Sequence, residues 1–407
     1  MGTSGRGRRR SPATPGAWTR SATSPTRRFP VMQAPGRPER PSTRPQPFEV
    51  DFAERPFTVA WELTRACALA CVHCRAEAQP RPHPEELTTA EAYEVVDQLA
   101  DLKPPVLVLT GGDPLMRADL FDIASRAISR GLRVAVSPTT TALVTRERLE
   151  RLRDLGVTMV HVSLDGADAA THDGFRGVPG TYQRVIQALR DLRDLGIPVQ
   201  VGTTLGRHNL HQLEQMSELL HGYGIRMWSV FYLVPTGRGS AGQMITPAEA
   251  EDSWEWLAAL SERAPFAVRT TAAPQFRRTM LLRARAGGTG PVRLTGAGYQ
   301  IAEAPGGVRT QGVNDGKGFL FIDHRGGLCP SGFLQLPAGN VRSDRIANIY
   351  RESPMFRSLR DPSALTGRCG RCTFAELCGG SRARAFATSG SYLGDDPLCM
   401  LDMPSLP

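Results

Sequence analysis

What this chain can fold into is limited most by an alternation of short, apolar, β-branched runs with longer stretches of helical periodicity. The runs are 56–63 (PFTVAWEL), 105–110 (PVLVLT), 132–136 (LRVAV), 158–164 (TMVHVSL), 198–204 (PVQVGTT) and 227–233 (MWSVFYL). Between them, Thr88 and Glu91 form a capping box ahead of Tyr93, Val95, Val96, Leu99 and Leu102, which share a helix face. A second helix carries Leu149, Leu152 and Leu155 and stops at Gly156. A third carries Val185, Ile186, Leu189, Leu192 and Leu195 and stops at Gly196, glycine being a usual terminator. The phrase RDLG at 153–156 recurs at 193–196, each time before a strand-like run, so one αβ unit is repeated. Six strands with intervening helices imply a parallel sheet covered by helices, either open or curled into a partial barrel.

In such folds, function sits at the carboxyl ends of the strands. Those ends are Thr64–Cys74, Gly111–Pro114, Ser137–Thr141, Ser163–Gly166, Thr203–Gly206 and Pro235–Gly239. All are polar or glycine-rich, and the first holds three cysteines. The alternation stops near residue 240. Thr246, Pro247 and Glu249 start another helix. Residues 268–316, rich in Gly, Arg and Thr, read as loop, and GFLFIDHRGGLCPSG at 318–332 reads as two strands around a turn at Gly326–Gly327. The expected organisation is a leader at 1–48, a core barrel at 49–245, a connector at 246–315 and a cysteine-rich α+β extension at 316–407.

Charge separates the leader from the rest. Residues 1–48 hold ten arginines against one acid, Glu39, so they account for the whole +9 of the chain and leave 39 basic and 39 acidic side chains beyond. With nine prolines and few aliphatic residues, the leader is expected to be disordered. It has no apolar segment behind its basic residues, and no run approaches the ~20 apolar residues of a membrane span. The expectation is a cytoplasmic protein with no membrane partner, whose eight cysteines stay reduced and bind metal. A zinc-containing nucleic-acid-binding protein would need a basic, aromatic-studded body; this body is neutral, so no nucleic-acid partner is expected.

Cys67, Cys71 and Cys74 follow C-x3-C-x2-C. Three thiolates on one short loop can wrap a corner of a four-iron cubane and leave one iron free of protein ligands. A zinc knuckle with His73 as fourth ligand is the competing reading. Further on, Cys369-x2-Cys372-x5-Cys378-x20-Cys399 suits a tetrahedral zinc or a fully ligated 4Fe-4S cluster equally well on spacing.

The first of these patterns, placed directly after the first strand, resembles the radical S-adenosylmethionine enzymes. The resemblance implies a partial (βα)6 barrel and a 4Fe-4S cluster on Cys67, Cys71 and Cys74. The fourth iron of that cluster would chelate the amino and carboxylate groups of S-adenosylmethionine. Reduction, by a donor such as flavodoxin or ferredoxin, would then give a 5′-deoxyadenosyl radical that abstracts a substrate hydrogen. By the same comparison His73 would lie near the adenine. Gly111, Gly112, Asp113 and Pro114 would be the GGEP-type motif that meets the amino group. Ser137, Thr139, Ser163 and Asp165 would contact ribose and carboxylate, and Arg176 would lie near the carboxylate. Read singly, GGDP is also a turn, SLDG a strand-to-helix cap, and Arg176 a surface residue.

The C-terminal pattern resembles the SPASM extension of these enzymes, which implies one auxiliary 4Fe-4S cluster on Cys369, Cys372, Cys378 and Cys399. Cys329 matches the first ligand of a second auxiliary cluster, but Asp344 and Ser381 stand where further cysteines would be needed. Cys329 is thus a ligand, a substrate-facing thiol or an inert buried residue. CGGSRARAFATSGSYLGDDPLC at 378–399 resembles the branch that acts on tetrapyrroles, including haem-forming decarboxylation and haem d1 formation. There Arg382 and Arg384 would either pair with propionates or pack over the cluster loop. The expected substrate is a small molecule, a tetrapyrrole side chain, with a ribosomal peptide as the alternative. Peptide-modifying members usually carry a further N-terminal winged-helix segment, and the leader lacks the periodicity for one.

Overall fold

Seven strands lie side by side in chain order, all parallel: β1 (Thr58–Glu62), β2 (Val106–Thr110), β3 (Val134–Val136), β4 (Met159–Ser163), β5 (Val199–Leu205), β6 (Met227–Tyr232) and β7 (Ala267–Thr271). The first six agree with the expected runs to within two residues. In this computed structural model the described residues are 50–287, 291–296, 298–304 and 307–401. The leader at 1–48, expected to be disordered, lies outside them.

Helices α1 (Thr89–Leu102), α2 (Leu120–Ser129), α3 (Arg146–Asp154), α4 (Ala169–Arg176), α5 (Thr181–Asp194), α6 (Leu213–His221) and α7 (Pro247–Arg263) make the crossovers. Alternation along each strand decides which face they cover. Val59 and Trp61, Leu107 and Leu109, Val160 and Val162, and Trp228 and Val230 join the helix stripes in one apolar core that includes Val95, Leu99, Leu152 and Leu189. The opposite face includes Ala60, Ala135, Ser163, Gly202 and Ser229, small residues that leave room inside a curled sheet. The result is a partial barrel with a concave inner face. Both expected capping boxes form: Glu91 N donates to Thr88 Oγ1 at 3.3 Å, and Thr246 N donates to Glu249 Oε2 at 2.7 Å. The two RDLG glycines take left-handed conformations, with φ of 85° and 67°.

The stretch expected to be a connector is ordered. β7 extends the parallel sheet, α8 (Gln275–Gly287) follows, and β8 (Arg293–Gly296), β9 (Tyr299–Ala304) and β10 (Gly307–Gly312) form a separate antiparallel sheet. Arginine density hid the helix. Arginine is a good helix former, and here two of the arginines face inward. Arg278 pairs with Glu251, and Arg277 donates to the carbonyls of Val313 and Leu377.

β11 (Phe319–Ile322) returns to pair in parallel with β1, and β12 (Leu328–Cys329) pairs antiparallel with β11. The main sheet therefore has nine strands in the order β12-β11-β1-β2-β3-β4-β5-β6-β7 and takes strands from all three expected segments. Helices α9 (Ile346–Glu352) and α10 (Pro354–Arg360) precede α11 (Gly367–Arg371) and α12 (Arg382–Ser389), which flank the C-terminal cysteines. Among the described residues no helix is long and apolar enough to cross a membrane.

Candidate active site

The loop after β1 is held by backbone contacts from the other strand ends. Gly112 N and Asp113 N donate to Thr64 O and Ala66 O, both at 2.7 Å. A Cβ on Gly112 would stand 2.4 Å from Ala66 O. Beyond β6, Gly237 sits at φ 58°, where a Cβ would come 2.4 Å from Cys74 O, and Arg238 Nε donates to Cys71 O at 2.9 Å. A side chain at either glycine would push the loop away, which accounts for glycine at these strand ends.

Within the loop each thiol has a donor. Leu69 N points at Cys67 Sγ (3.3 Å), Ala78 N at Cys74 Sγ (3.4 Å) and Arg176 Nη1 at Cys71 Sγ (3.9 Å). Thr139 Oγ1 lies 3.6 Å from Cys67 Sγ. Burial raises the Cys67 and Cys71 thiols above the ordinary range, although Arg176 pulls Cys71 down. Buried thiols with N–H donors fit a cationic iron–sulfur cluster, whose charge deprotonates them and whose sulfurs accept such bonds.

The other expected residues gather at the same mouth, with roles the sequence did not separate. Asp113 is buried; its oxygens accept from Leu115 N (3.1 Å) and Thr141 Oγ1 (2.9 Å), so its carboxylate builds the turn through Pro114. Asp165 also turns inward: Oδ2 takes Arg176 Nε at 2.6 Å and Oδ1 takes Thr204 N at 2.6 Å. Burial pushes it up, but Arg176 and nearby groups hold it at about 2. Asp165 and Arg176, expected as cofactor contacts, form a buried pair that aims a guanidinium at Cys71, and Arg176 is no surface residue. Ser137 Oγ lies 2.9 Å from His161 Nδ1. Ser163 ends β4 on the inner face.

Three features went unread in the sequence. His73, Phe175 and His208 form a stack, with centroids 3.9 and 3.7 Å apart. Burial, helped by Arg176, lowers His73 to about 3, and its Nδ1 is buried without a partner among the described residues. At the end of β1, buried Glu62 binds Arg75 at 2.8 Å and His324 at 3.0 Å, locking the cysteine loop to the β11–β12 turn. His161 stands on the inner face with Nε2 buried and unpartnered. The strand-end histidines gave the only signal.

The C-terminal cysteines line one small concavity of about 30 Å³ with Gln275, Arg278, Asp395 and Asp396. Each again has a donor: Arg382 Nη2 to Cys369 (3.6 Å), Phe374 N to Cys372 (3.4 Å), Gly380 N to Cys378 (3.4 Å) and Arg278 Nη1 to Cys399 (3.6 Å). Four thiols around one cavity fit a fully ligated cluster. Cys329 is apart from them, opposite Phe321 in the main sheet, and burial pushes its thiol up to about 12. The two departures from the longer cysteine pattern have local uses. Ser381 caps α12 through Arg384 N (3.2 Å), and Asp344 accepts from Asn340 N (2.9 Å). Arg382 and Arg384 are buried and spent, the first on Tyr392 O, Gly394 O and Cys369, the second on Asp396 and Ala272 O. Both are engaged within the C-terminal segment, which favours packing over the cluster loop.

A parallel partial barrel with a three-cysteine loop at its mouth defines a class, and comparison agrees: residues 61–220 match the Radical SAM superfamily. The chain belongs to this family and is a radical SAM enzyme, with its 4Fe-4S cluster and S-adenosylmethionine as cofactors. It is 40% identical over 343 residues to the AdoMet-dependent heme synthase of Nitratidesulfovibrio vulgaris, covering 84% of this chain and 91% of that protein. It is 30% identical to the pre-heme d1 synthase of Dinoroseobacter shibae, covering 84% and 86%. The fold is that of SuiB from Streptococcus suis, solved with S-adenosylmethionine, at a TM-score of 0.65, 14% identity, and coverage of 86% and 78%.

Proposed function

We propose that this enzyme removes a carboxyl group from a propionate side chain of an iron tetrapyrrole, a haem-forming reaction. The observation that carries the reading is the 40% identity, along nearly the full length of both chains, to an AdoMet-dependent heme synthase. When bound, the cluster and S-adenosylmethionine supply a 5′-deoxyadenosyl radical that takes a hydrogen atom from the substrate. The chain's own residues hold and screen these groups. Cys67, Cys71 and Cys74 are the cluster ligands, and the carbonyls of Gly111 and Gly112 are free to meet the ammonium because the amide of Gly112 is tied to the loop. Ser163, Thr139 and Ser137 face the ribose, and the neutral His73 ring faces the adenine.

Cys369, Cys372, Cys378 and Cys399 hold an auxiliary 4Fe-4S cluster, and the electron donor is a flavodoxin or ferredoxin of the cytoplasm. Neither nucleic acid nor membrane is a partner. The test is anaerobic incubation with S-adenosylmethionine, dithionite and iron-coproporphyrin. The expected result is 5′-deoxyadenosine together with products lighter by carbon dioxide and two hydrogens for each propionate converted to vinyl. One hydrogen atom leaves in 5′-deoxyadenosine and the other as a proton, with the remaining electron passing to an added one-electron acceptor. Formation of 5′-deoxyadenosine with the porphyrin mass unchanged would refute the substrate assignment.

A further inference from the structure

Across the inner face, one row of paired residues runs from the cofactor side to the far edge of the parallel strands: Ser163 opposite Gly202, Gly202 opposite Ser229, and Ser229 opposite Arg269. The immediate neighbours Val162, Val201, Trp228, Val230 and Val268 all lie in the helix-covered core. Alternation therefore turns all four row members inward. Three of them are as small as residues can be, and the fourth is an arginine.

That arginine differs from the other inward-facing arginines. Arg176 has Asp165, Arg278 has Glu251, Arg384 has Asp396, and Arg382 and Arg277 are spent on carbonyls and sulfur. Arg269 is half-buried, and among the described residues its side chain has no hydrogen bond or ion pair. The groups that feel its charge are themselves cationic or neutral: Arg269 lowers the pKa of Arg277 and of His161. Burial alone lowers its pKa, with no acid to oppose the effect. Desolvating a guanidinium without an anion costs stability, so the position is maintained against folding. Beside it, Phe231 stands inward on β6, with its ring 6.1 Å from His161 and 6.4 Å from Phe333 at interplanar angles of 72° and 55°, an inclined aromatic wall. A cationic donor fork next to an aromatic wall matches a ligand that is flat and apolar with carboxylates on its rim.

We infer that Arg269 receives a substrate carboxylate, a propionate of the tetrapyrrole, and fixes the macrocycle on the wall of the barrel opposite the cofactor. The assignment rests on the tetrapyrrole reading. It gives this role to a guanidinium without a partner among the described residues rather than to Arg382 or Arg384, which are already engaged.

The test is an absorbance titration of the reconstituted enzyme with iron-coproporphyrin and with its methyl ester, for wild type, Arg269→Met and Arg269→Lys. Iron content and substrate-free formation of 5′-deoxyadenosine serve as fold controls. Loss of a bidentate charged contact should weaken binding of the free acid about 10- to 100-fold in Arg269→Met and leave binding of the ester unchanged. Arg269→Lys should recover part of the loss. Because the guanidinium is unpaired in the free protein, Arg269→Met should also raise the melting temperature, by about 2–4 °C. If Arg269→Met binds the acid as wild type does, or loses acid and ester alike, the inference fails and the tetrapyrrole reading stands. If wild type binds neither compound, both fall.

Discussion

The two cysteine sets are braced by the same device in different surroundings. At the barrel mouth, Asp165 holds Arg176 against Cys71; in the C-terminal segment, Asp396 holds Arg384 beneath the helix whose Arg382 reaches Cys369. Each acid is held below the usual carboxylate range against the upward push of burial, chiefly by its arginine. The scaffolds differ. The first loop is gripped by backbone, through glycines whose absent side chains let two other strand ends touch it. The second is gripped by side chains, with Arg278, Arg382 and Asp395 meeting the thiols and their backbone. With the ligand sets proposed above, three ligands on a backbone-gripped loop would leave a position open for the cofactor, whereas four around one cavity would close the site. An open metal position marks the reactive centre and a closed one a supporting role.

The strongest break in that comparison is to remove the ligands. Changing Cys67, Cys71 and Cys74 together to Ala should abolish S-adenosylmethionine cleavage and lower reconstituted iron from about eight to about four atoms per chain. Changing Cys372 and Cys378 to Ala should give the same loss of iron but retain substrate-free cleavage, measured as 5′-deoxyadenosine. If the second variant also loses cleavage, the two sets are not separable.

Next in size is the bracing pair. Removing one partner of a buried ion pair leaves an uncompensated charge, which costs about 3–5 kcal/mol. Asp396 also takes Ser381 N and Gln275 Nε2, both at 2.7 Å, so Asp396→Ala should fall in this range in a denaturant titration. Asp165→Asn keeps the shape and the hydrogen bond from Thr204 N. Its cost should appear as lost cofactor cleavage, because Arg176 is no longer aimed at Cys71, with the C-terminal cluster intact by EPR.

The glycine grip gives a smaller effect. Gly112→Ala must displace a carbonyl 2.4 Å away, so overpacking of about 1–3 kcal/mol is expected, with reduced iron at the first set alone. Among the described residues no glycine forces a comparable approach of another loop onto the C-terminal cysteine carbonyls, and the second set should not respond.

Much of this was legible in the sequence, for physical reasons that also explain the gaps. The six strands and their helices were readable because a sheet covered on one face leaves a strict apolar rhythm, as in Val160 and Val162 or Leu149 and Leu152. The first cysteine set was readable because one short loop carries it. The helix at Gln275–Gly287 was not, because its inward arginines look like solvent-facing ones until their partners, 27 to 100 residues away, are known. Glu62 and His324 are 262 positions apart, and no local pattern announces them. Asp165 and Arg176 were found, but the same residues that could contact a ligand can contact each other, and only geometry decides. Arg269 lay within a stretch read as loop, where alternation was not being looked for.

The mildest test separates the two regions by acid. His172 on α4 is buried, and its Nδ1 accepts the amide of Asp165 at 3.0 Å, which requires that nitrogen to be unprotonated. Burial, helped by Arg176 and opposed by Asp165, lowers His172 from 6.5 to about 4. A folded pKa below the unfolded one means that the unfolded chain takes up the proton first. The contribution to stability is therefore complete above pH 6.5 and is lost as pH falls toward 4, at about 1.4 kcal/mol per pH unit. His161, lowered to about 4 by burial with Arg176 and Arg269 against Asp165, adds to the same window. The C-terminal cysteines have no histidine among the residues lining their cavity. Acidification from pH 7 to 5 should thus loosen the barrel mouth first, with amide exchange rising in α4 before α12. His172→Asn, whose side-chain oxygen can accept the same amide without titrating, should flatten the pH slope by that one group. An unchanged slope would place the acid sensitivity elsewhere.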